Sequence, residues 1–385
     1  MEYRKMKRNG FNVSVIGLGC EHLINRSAQE VDAVVKTALE NGVNILDLFM
    51  PQPEVRDNIS KALTGLRDKV YMQGHLGTIM EDGQGKRSRD LEKCRLSFED
   101  YLRRYKTDYV DIGMVHFVDT EEDFKIVFEG GLYEYAMKLK EQGVIRSFGI
   151  SSHEPTTALK AVKNGYIDVL MFSINPAYDM LAAKTDVYDF FKDLTYQNGN
   201  LYGVNKDRAA LYAACEEHGV SITVMKALGA GQLLNEKSSP FGKALTVPQC
   251  IHYALSQPSV CSALIGCVTP EEVLRAVSYT SVAAAERDFS GVLSRSPKYS
   301  MTGRCMYCNH CLPCPSHIDV AAVTKYLYLA KETHGNNVPD TIRDHYSSLK
   351  NSAKDCIQCG SCESNCPFGV KVIENMKEAI EIFGK

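Results

Sequence analysis

From residue 11 to about residue 282, short runs of β-branched and other apolar residues alternate with longer stretches in which apolar side chains recur at helical spacing. That alternation predicts a parallel sheet wrapped by helices, because each strand needs a helix to cover it. Eight units are predicted, with strands at 13–19, 45–49, 70–75, 110–116, 146–151, 169–174, 222–226 and 263–266. The intervening helices include 28–41, 89–105, 132–142 and 155–164. Gly42, Gly143, Gly165 and Gly219 stand just past helix ends, where a left-handed cap residue is wanted.

Eight β-α units in this length predict an α/β fold, a closed (β/α)8 TIM barrel whose active site lies on the loops after the strands' C-terminal ends. A doubly wound open sheet is the rival. Its Gly-x-Gly-x-x-Gly turn fails here at the third position, in Gly17-Leu18-Gly19-Cys20-Glu21-His22. The connection over 176–206 is too long for a simple barrel loop and rich in Tyr, Phe and Asp, which predicts a lid or an interface. After Val282 the periodicity lapses.

Composition changes this picture at one end of the chain. Of 14 cysteines in 385 residues, eight lie between Cys305 and Cys366. They read Cys305-Met-Tyr-Cys308-Asn-His-Cys311-Leu-Pro-Cys314-Pro and Cys356-Ile-Gln-Cys359-Gly-Ser-Cys362-Glu-Ser-Asn-Cys366-Pro. Three thiolates at two-residue intervals wrap three irons of one cubane, while a remote cysteine before proline closes the neighbouring one. The rule predicts two 4Fe–4S clusters: Cys305, Cys308, Cys311 and Cys366 on one, and Cys356, Cys359, Cys362 and Cys314 on the other. The first motif has two residues, not three, before its last cysteine. Structural zinc is the alternative, though zinc sites usually separate their cysteine pairs. The segment resembles a bacterial two-cluster ferredoxin. The predicted organisation is thus a barrel over 1–285, a linker over 286–303 and a small helical ferredoxin-like domain over 304–385. Cys20, Cys94, Cys215, Cys250, Cys261 and Cys267 read as small buried hydrophobes, with Cys20 placed where the first strand ends.

Charge is nearly balanced, 44 Lys and Arg against 47 Asp and Glu, so no long-range field gathers nucleic acid or anionic membrane. No apolar run approaches the ~20 residues that cross a bilayer, and the charged start is not followed by a signal-type apolar core. The expectation is a cytoplasmic protein with neither nucleic acid nor membrane as a partner.

The barrel portion resembles the aldo/keto reductase family along nearly its whole length. The resemblance is carried by Val13-Ser-Val-Ile-Gly-Leu-Gly19, Gly42-Val-Asn-Ile-Leu-Asp47, Asp108-Tyr-Val-Asp111 through His116, Gly143-Val-Ile-Arg146 through Gly149-Ile-Ser-Ser152, and Gly231-Gln-Leu-Leu234. With the cysteines, the whole chain is similar to the branch of that family that carries a fused ferredoxin-type domain. The resemblance implies carbonyl reduction by NADPH with an Asp, Tyr, Lys and His set, of which Asp47 and His116 are matched. No tyrosine lies between Asp47 and Tyr71, Gln52 falls where the acid is expected, and His75 holds the lysine position. At the nucleotide end, Gly266 and Glu272 stand where the family has a Lys and an Arg for the 2′-phosphate, with Arg275 nearby. Ser151, Ser152 and Asn175 match the region that grips a nicotinamide amide, and suit a flavin edge as well.

Four histidines, His22, His75, His116 and His153, follow predicted strands one, three, four and five, and so point to one barrel mouth as acid–base groups or ligands. His116 and His75 lead as proton donors, with Asp47 as orienter. Lys226 is a candidate anchor for a cofactor phosphate.

Clusters move single electrons, whereas most organic substrates take pairs, and a flavin bridges the two. The leading expectation is an iron–sulfur oxidoreductase in which a barrel-mouth flavin such as FMN links the clusters to a small carbonyl or unsaturated substrate, with a ferredoxin-like electron partner. The alternatives are an NAD(P)H-dependent reductase with an altered catalytic set, and a non-catalytic electron-transfer protein or redox sensor.

Overall fold

The computed structural model describes residues 1–185, 189, 196, 201–294, 299–333 and 338–384. Its contacts divide into two compact units. The first comprises Met1–Ile174, Gly219–Ala227 and Val260–Val282, and the second Asn175–His218, Leu228–Ser259 and Ala283–Lys385.

The first unit holds a closed parallel barrel of β1 (Ile16–Gly19), β2 (Ile45–Leu48), β3 (Tyr71–Leu76), β4 (Val110–Val115), β5 (Ile145–Ser152), β6 (Val169–Ser173), β7 (Ser221–Met225) and β8 (Val260–Gly266). The strands pair in chain order and β8 returns to β1. Ile45 on β2, Ile112 and Met114 on β4, Val169 and Met171 on β6, and Leu264 on β8 fill the interior with Met6 and Val13. These bulky side chains come from alternate strands, the layering a closed eight-strand barrel requires. On β1 the facing position is Gly17, where a Cβ would meet Leu264 at 2.5 Å and Ile45 at 2.9 Å.

The strand predicted over 13–19 is broken in two. Asn12–Ser14 pairs antiparallel with Tyr3–Lys5, and β1 begins only at Ile16. Ser14 causes the break: its hydroxyl donates to the Ile16 carbonyl (2.7 Å) and its N–H donates to Asn44 Oδ1 (2.7 Å). The resulting hairpin covers the strands' starting ends, where Arg4 reaches the Val260 carbonyl and Arg8 the Ile167 carbonyl, each at 2.8 Å.

Helices α1 (Ala28–Glu40), α2 (Pro53–Ala62), α3 (Leu91–Tyr105), α4 (Glu121–Phe128), α5 (Gly131–Glu141) and α6 (Pro155–Lys163) belong to this unit. Capping residues set their starts: Ser27 and Glu30 form a reciprocal box on α1, and Asp90 accepts the Lys93 N–H, so α3 begins later than residue 89.

The next two helices, α7 (Lys206–Glu217) and α8 (Val247–Ser256), fall in the second unit, while α9 (Pro270–Val277) returns to the first. The second unit continues with α10 (Ala284–Arg287), α11 (Ser290–Leu293), α12 (Val320–Thr333), α13 (Asp340–Ser347), α14 (Ser361–Ser364) and α15 (Val372–Phe383). Ala213 of α7 packs with Leu329 and Ala330 of α12, Val338, and Ile342 of α13. Of the insertion predicted over 176–206, residues 186–188, 190–195 and 197–200 lie outside the described residues. Its beginning makes one turn, Tyr178–Met180, which carries the fully buried Asp179. Asp179 accepts from Arg208 (3.1 Å), Tyr212 (2.5 Å) and Tyr253 (2.9 Å), so one carboxylate ties this turn to α7 and α8. Among the described residues no helix is long and apolar enough to cross a membrane.

Removing one member of a buried ion pair strands the other charge. Asp179→Ala is expected to lower the stability of the second unit by about 3–5 kcal/mol, read from denaturant unfolding, because Arg208 is left buried without its counterion.

Candidate functional site

Alternation along a strand places residues i and i+2 on one face, so Gln73 and His75 of β3 both enter the barrel interior, as does Asp47 of β2. All three are at most 2% exposed. Asp47 Oδ1 accepts from Gln73 Nε2 at 2.6 Å and lies 2.8 Å from His75 Nε2. Gln73 is oriented by its other end, where Oε1 accepts the Thr223 hydroxyl from β7 (3.1 Å). Beyond His75, its Nδ1 lies 3.3 Å from Nδ1 of His116, the residue after β4. The three side chains therefore form a hydrogen-bonded line, Asp47–His75–His116.

Carboxylates only accept, so the hydrogen on His75 sits on Nε2, leaving a lone pair on Nδ1. His116 then donates through Nδ1, and its Nε2 is the free nitrogen. Phe49 stacks on the His116 ring at 5.0 Å with 13° between planes, which holds the ring in place. Burial first, and then His75, His153, Arg89 and Arg87, push the His116 imidazole well below its usual range. Arg89 is anchored beside it, donating to the His116 and Phe117 carbonyls and to Asp123.

A second line runs alongside. Lys226 Nζ is 3.1 Å from His153 Nε2, and His153 Nδ1 is 2.9 Å from Asp119 Oδ2. Asp119 Oδ1 also accepts from the Ser152 hydroxyl and the His153 N–H. Although burial raises it, the contacts with His153 hold Asp119 below the usual carboxylate range. Asp119, Gln73 and Thr223 were not among the residues singled out from sequence. Gln73 was findable, since it lies two residues before His75 on one strand face, whereas Asp119 sits in a loop without periodicity.

The other predicted residues are placed as follows. His22 is exposed on the turn after β1, and its ring fills the space a Cβ at Gly266 would need. Ser151 accepts the Phe117 N–H (2.8 Å). Asn175, at the start of the second unit, accepts the N–H groups of Ala177 and Tyr178. Arg275 is exposed on α9, and Glu272 accepts the Val268 N–H (2.7 Å). The amide oxygen of Gln52 is buried with no hydrogen-bond partner among the described residues.

In the second unit the two cysteine loops repeat one backbone. Tyr307 and Asn309 have φ of 55° and 65°, and the matching Gln358 and Gly360 have 54° and 77°. Left-handed residues at these matching places give the two loops a common turn, and backbone turns with left-handed residues recur at iron–sulfur sites. Cys305 lies within electrostatic reach of Cys308, Cys311 and Cys366, and burial pushes its thiol up to about 12. Cys314, Cys356, Cys359 and Cys362 line one shallow cleft together with Cys311. A buried thiol such as that of Cys305 ionises more readily beside positive charge, which iron supplies. The donor set and the loops fit iron–sulfur ligation.

A closed parallel barrel with acid–base groups at its mouth thus stands in one chain with cysteine loops of the iron–sulfur kind. The chain belongs to the aldo/keto reductase family: the model of that family matches residues 15–285, and the model of a 4Fe-4S dicluster domain matches residues 304–371. It is 27% identical over 179 residues to an uncharacterized oxidoreductase of Bacillus subtilis, covering 46% of this chain and 56% of that protein. It is 29% identical over 182 residues to the L-galactose dehydrogenase of Arabidopsis thaliana, covering 44% and 56%. The chain spans about half the length of these curated relatives. Among solved structures, the holo form of an aldo-keto reductase from Bacillus halodurans matches with TM-score 0.57 at 22% identity, over 74% of this chain and 94% of that one.

Because the folded protein keeps His116 neutral where a free imidazole takes a proton, the unfolded chain binds more protons below about pH 6.5. This contribution to stability is full above that pH and is lost as the pH falls through it. His116→Phe is expected to flatten the fall of the denaturation midpoint on acidification, by at most about 1.4 kcal/mol per pH unit.

Proposed function

We propose that the protein interconverts a small carbonyl or unsaturated compound and its reduced form at the barrel mouth, exchanging the electrons with two 4Fe–4S clusters through a flavin bound there. The observation that carries this reading is the Asp47–His75–His116 line, in which His75 takes the family's lysine position between the matched Asp47 and His116 while no tyrosine serves as the acid. A flavin, when bound, supplies the conversion between single electrons and a hydride.

This chain's own residues manage the proton. In the reducing direction His116 gives a proton from Nε2 to the substrate oxygen or carbon. Its Nδ1–H stays on His75, and Asp47 holds the His75 Nε2–H throughout. In the oxidising direction the same Nε2 lone pair accepts the proton. The depressed imidazole makes His116 a strong acid when charged and a neutral acceptor at rest, so reduction gains from acid and oxidation does not. Ser151 and Ser152 shape the mouth through the Phe117 N–H and Asp119, respectively.

The crossed cluster assignment is supported by the electrostatic reach of Cys366 to Cys305, Cys308 and Cys311, and by the cleft that Cys314 shares with Cys356, Cys359 and Cys362, which Cys311 also borders. A second reading, NAD(P)H bound directly, is favoured by the family match over 15–285. Against it stands Glu272, a carboxylate near the place of the 2′-phosphate, leaving exposed Arg275 as the cation there.

Anaerobic purification followed by iron, sulfide and released-cofactor analysis tests the reading: about eight irons and a stoichiometric flavin are expected. Iron without flavin, together with saturable NADPH binding, would establish the second reading instead. His116→Phe combined with His75→Phe is expected to lower turnover by about 100-fold or more, and full turnover in that variant would remove the assigned roles. Cys366→Ser is expected to lower iron from about eight to about four per chain, with the second cluster's spectrum retained.

A further inference from the structure

The reaction above leaves the second line of side chains at the mouth without a task. Its order is amine, imidazole, carboxylate. Asp119 accepts at Nδ1 of His153, which places that ring's hydrogen on Nδ1 and aims the Nε2 lone pair at Lys226, 3.1 Å away. Asp119 is itself fixed by the Ser152 hydroxyl and the His153 N–H. A nucleophile within hydrogen-bond reach of a base, with the base oriented by a third group, is the arrangement that activates weak nucleophiles.

Two further observations bear on this line. Lys226 has φ of 60° and Phe117, whose ring lies 4.9 Å from His153, has φ of 58°. Side-chain-bearing residues adopt this left-handed region at a steric cost, and such positions cluster at functional sites. The charge balance argues against a phosphate anchor. Lys226 stands within electrostatic reach of Glu21 and Asp119, so part of its charge is already answered by carboxylates, which weakens its pull on an anion. Burial, the largest influence, nevertheless pulls the Lys226 ammonium below the usual lysine range. Lys226 remains partly exposed, so a small molecule in the mouth reaches it.

We propose that Lys226 is a carbonyl-condensing nucleophile that forms an imine with a small aldehyde or ketone. His153 Nε2 takes a proton from the Lys226 ammonium. The freed amine forms a bond to the carbonyl carbon while the C=O π bond opens onto oxygen, and one N–H proton passes from the nitrogen to that oxygen, giving a neutral carbinolamine. His153 returns its proton to the carbinolamine oxygen, the C–O bond breaks and water leaves. No electrons are gained or lost. The imine carbon, once protonated on nitrogen, accepts hydride more readily than the parent carbonyl, so the step deepens the carbonyl branch of the proposed function and rests on it for substrate class alone.

The test uses the full-length, anaerobically purified protein and pentane-2,4-dione, a diketone that condenses with neutral amines to a stable enaminone, read by peptide mass mapping. Lys138, with 63% of its side chain exposed, serves as the internal reference for an ordinary lysine. The expected result is one condensed diketone per chain at Lys226, formed about 100-fold faster than at Lys138. K226R abolishes that adduct, and H153N slows it about 100-fold with iron content unchanged. Labelling of Lys226 no faster than Lys138 in the unsubstituted protein overturns the proposal, as does an unchanged rate in H153N. Adduct formation requires neither clusters nor flavin, so it separates from failure of the electron-transfer reading.

Discussion

A carboxylate inside a barrel is tolerable only if donors replace the water it has lost. Asp47, 2% exposed, meets that condition with the Gln73 amide and the His75 imidazole. Once both donors are committed to it, little else at the mouth is free to vary. The Gln73 amide cannot turn over, so its oxygen faces Thr223 across the barrel. The His75 tautomer is set, and with it which His116 nitrogen is engaged by His75 and which is left. One buried charge thereby orders groups drawn from β2, β3, β7 and the loop after β4.

The second unit answers a different constraint. Eight thiols gathered in short loops are a poor basis for a hydrophobic core. Their loops are shaped by left-handed residues at matching places, Tyr307 and Asn309 in one and Gln358 and Gly360 in the other. Part of the folding free energy of such a segment comes from metal ligation, so cluster loss and local unfolding are coupled. α7 and α12 add apolar contact through Ala213, Leu329 and Ala330.

Much of this was legible along the chain because the signals are periodic. Buried strands and amphipathic helices announce the barrel, and two-residue cysteine intervals announce the clusters; the family match and the closed eight-strand sheet agree with both. Legibility stops where one side chain's local hydrogen bonds outweigh the pattern. Ser14 turns the chain out of a strand whose apolar run continues through it. Asp90 starts α3 later than its charge pattern suggests. Asp119 carries no spacing signal, since its role depends on a loop folding back onto His153. Likewise, nothing in the periodicity assigns α7 and α8 to the same unit as the cysteine loops.

Phe117 has a consequence of its own. Its ring lies between the two imidazoles, 6.1 Å from His116 and 4.9 Å from His153, and Arg87 sits 5.0 Å over it. An aromatic ring has no exchangeable hydrogen and holds no bridging water on its face as tightly as a polar group does. No proton therefore passes through Phe117 from the line ending on Asp47 to the line ending on Asp119, and the two lines feel one another only through space, as His116 feels His153.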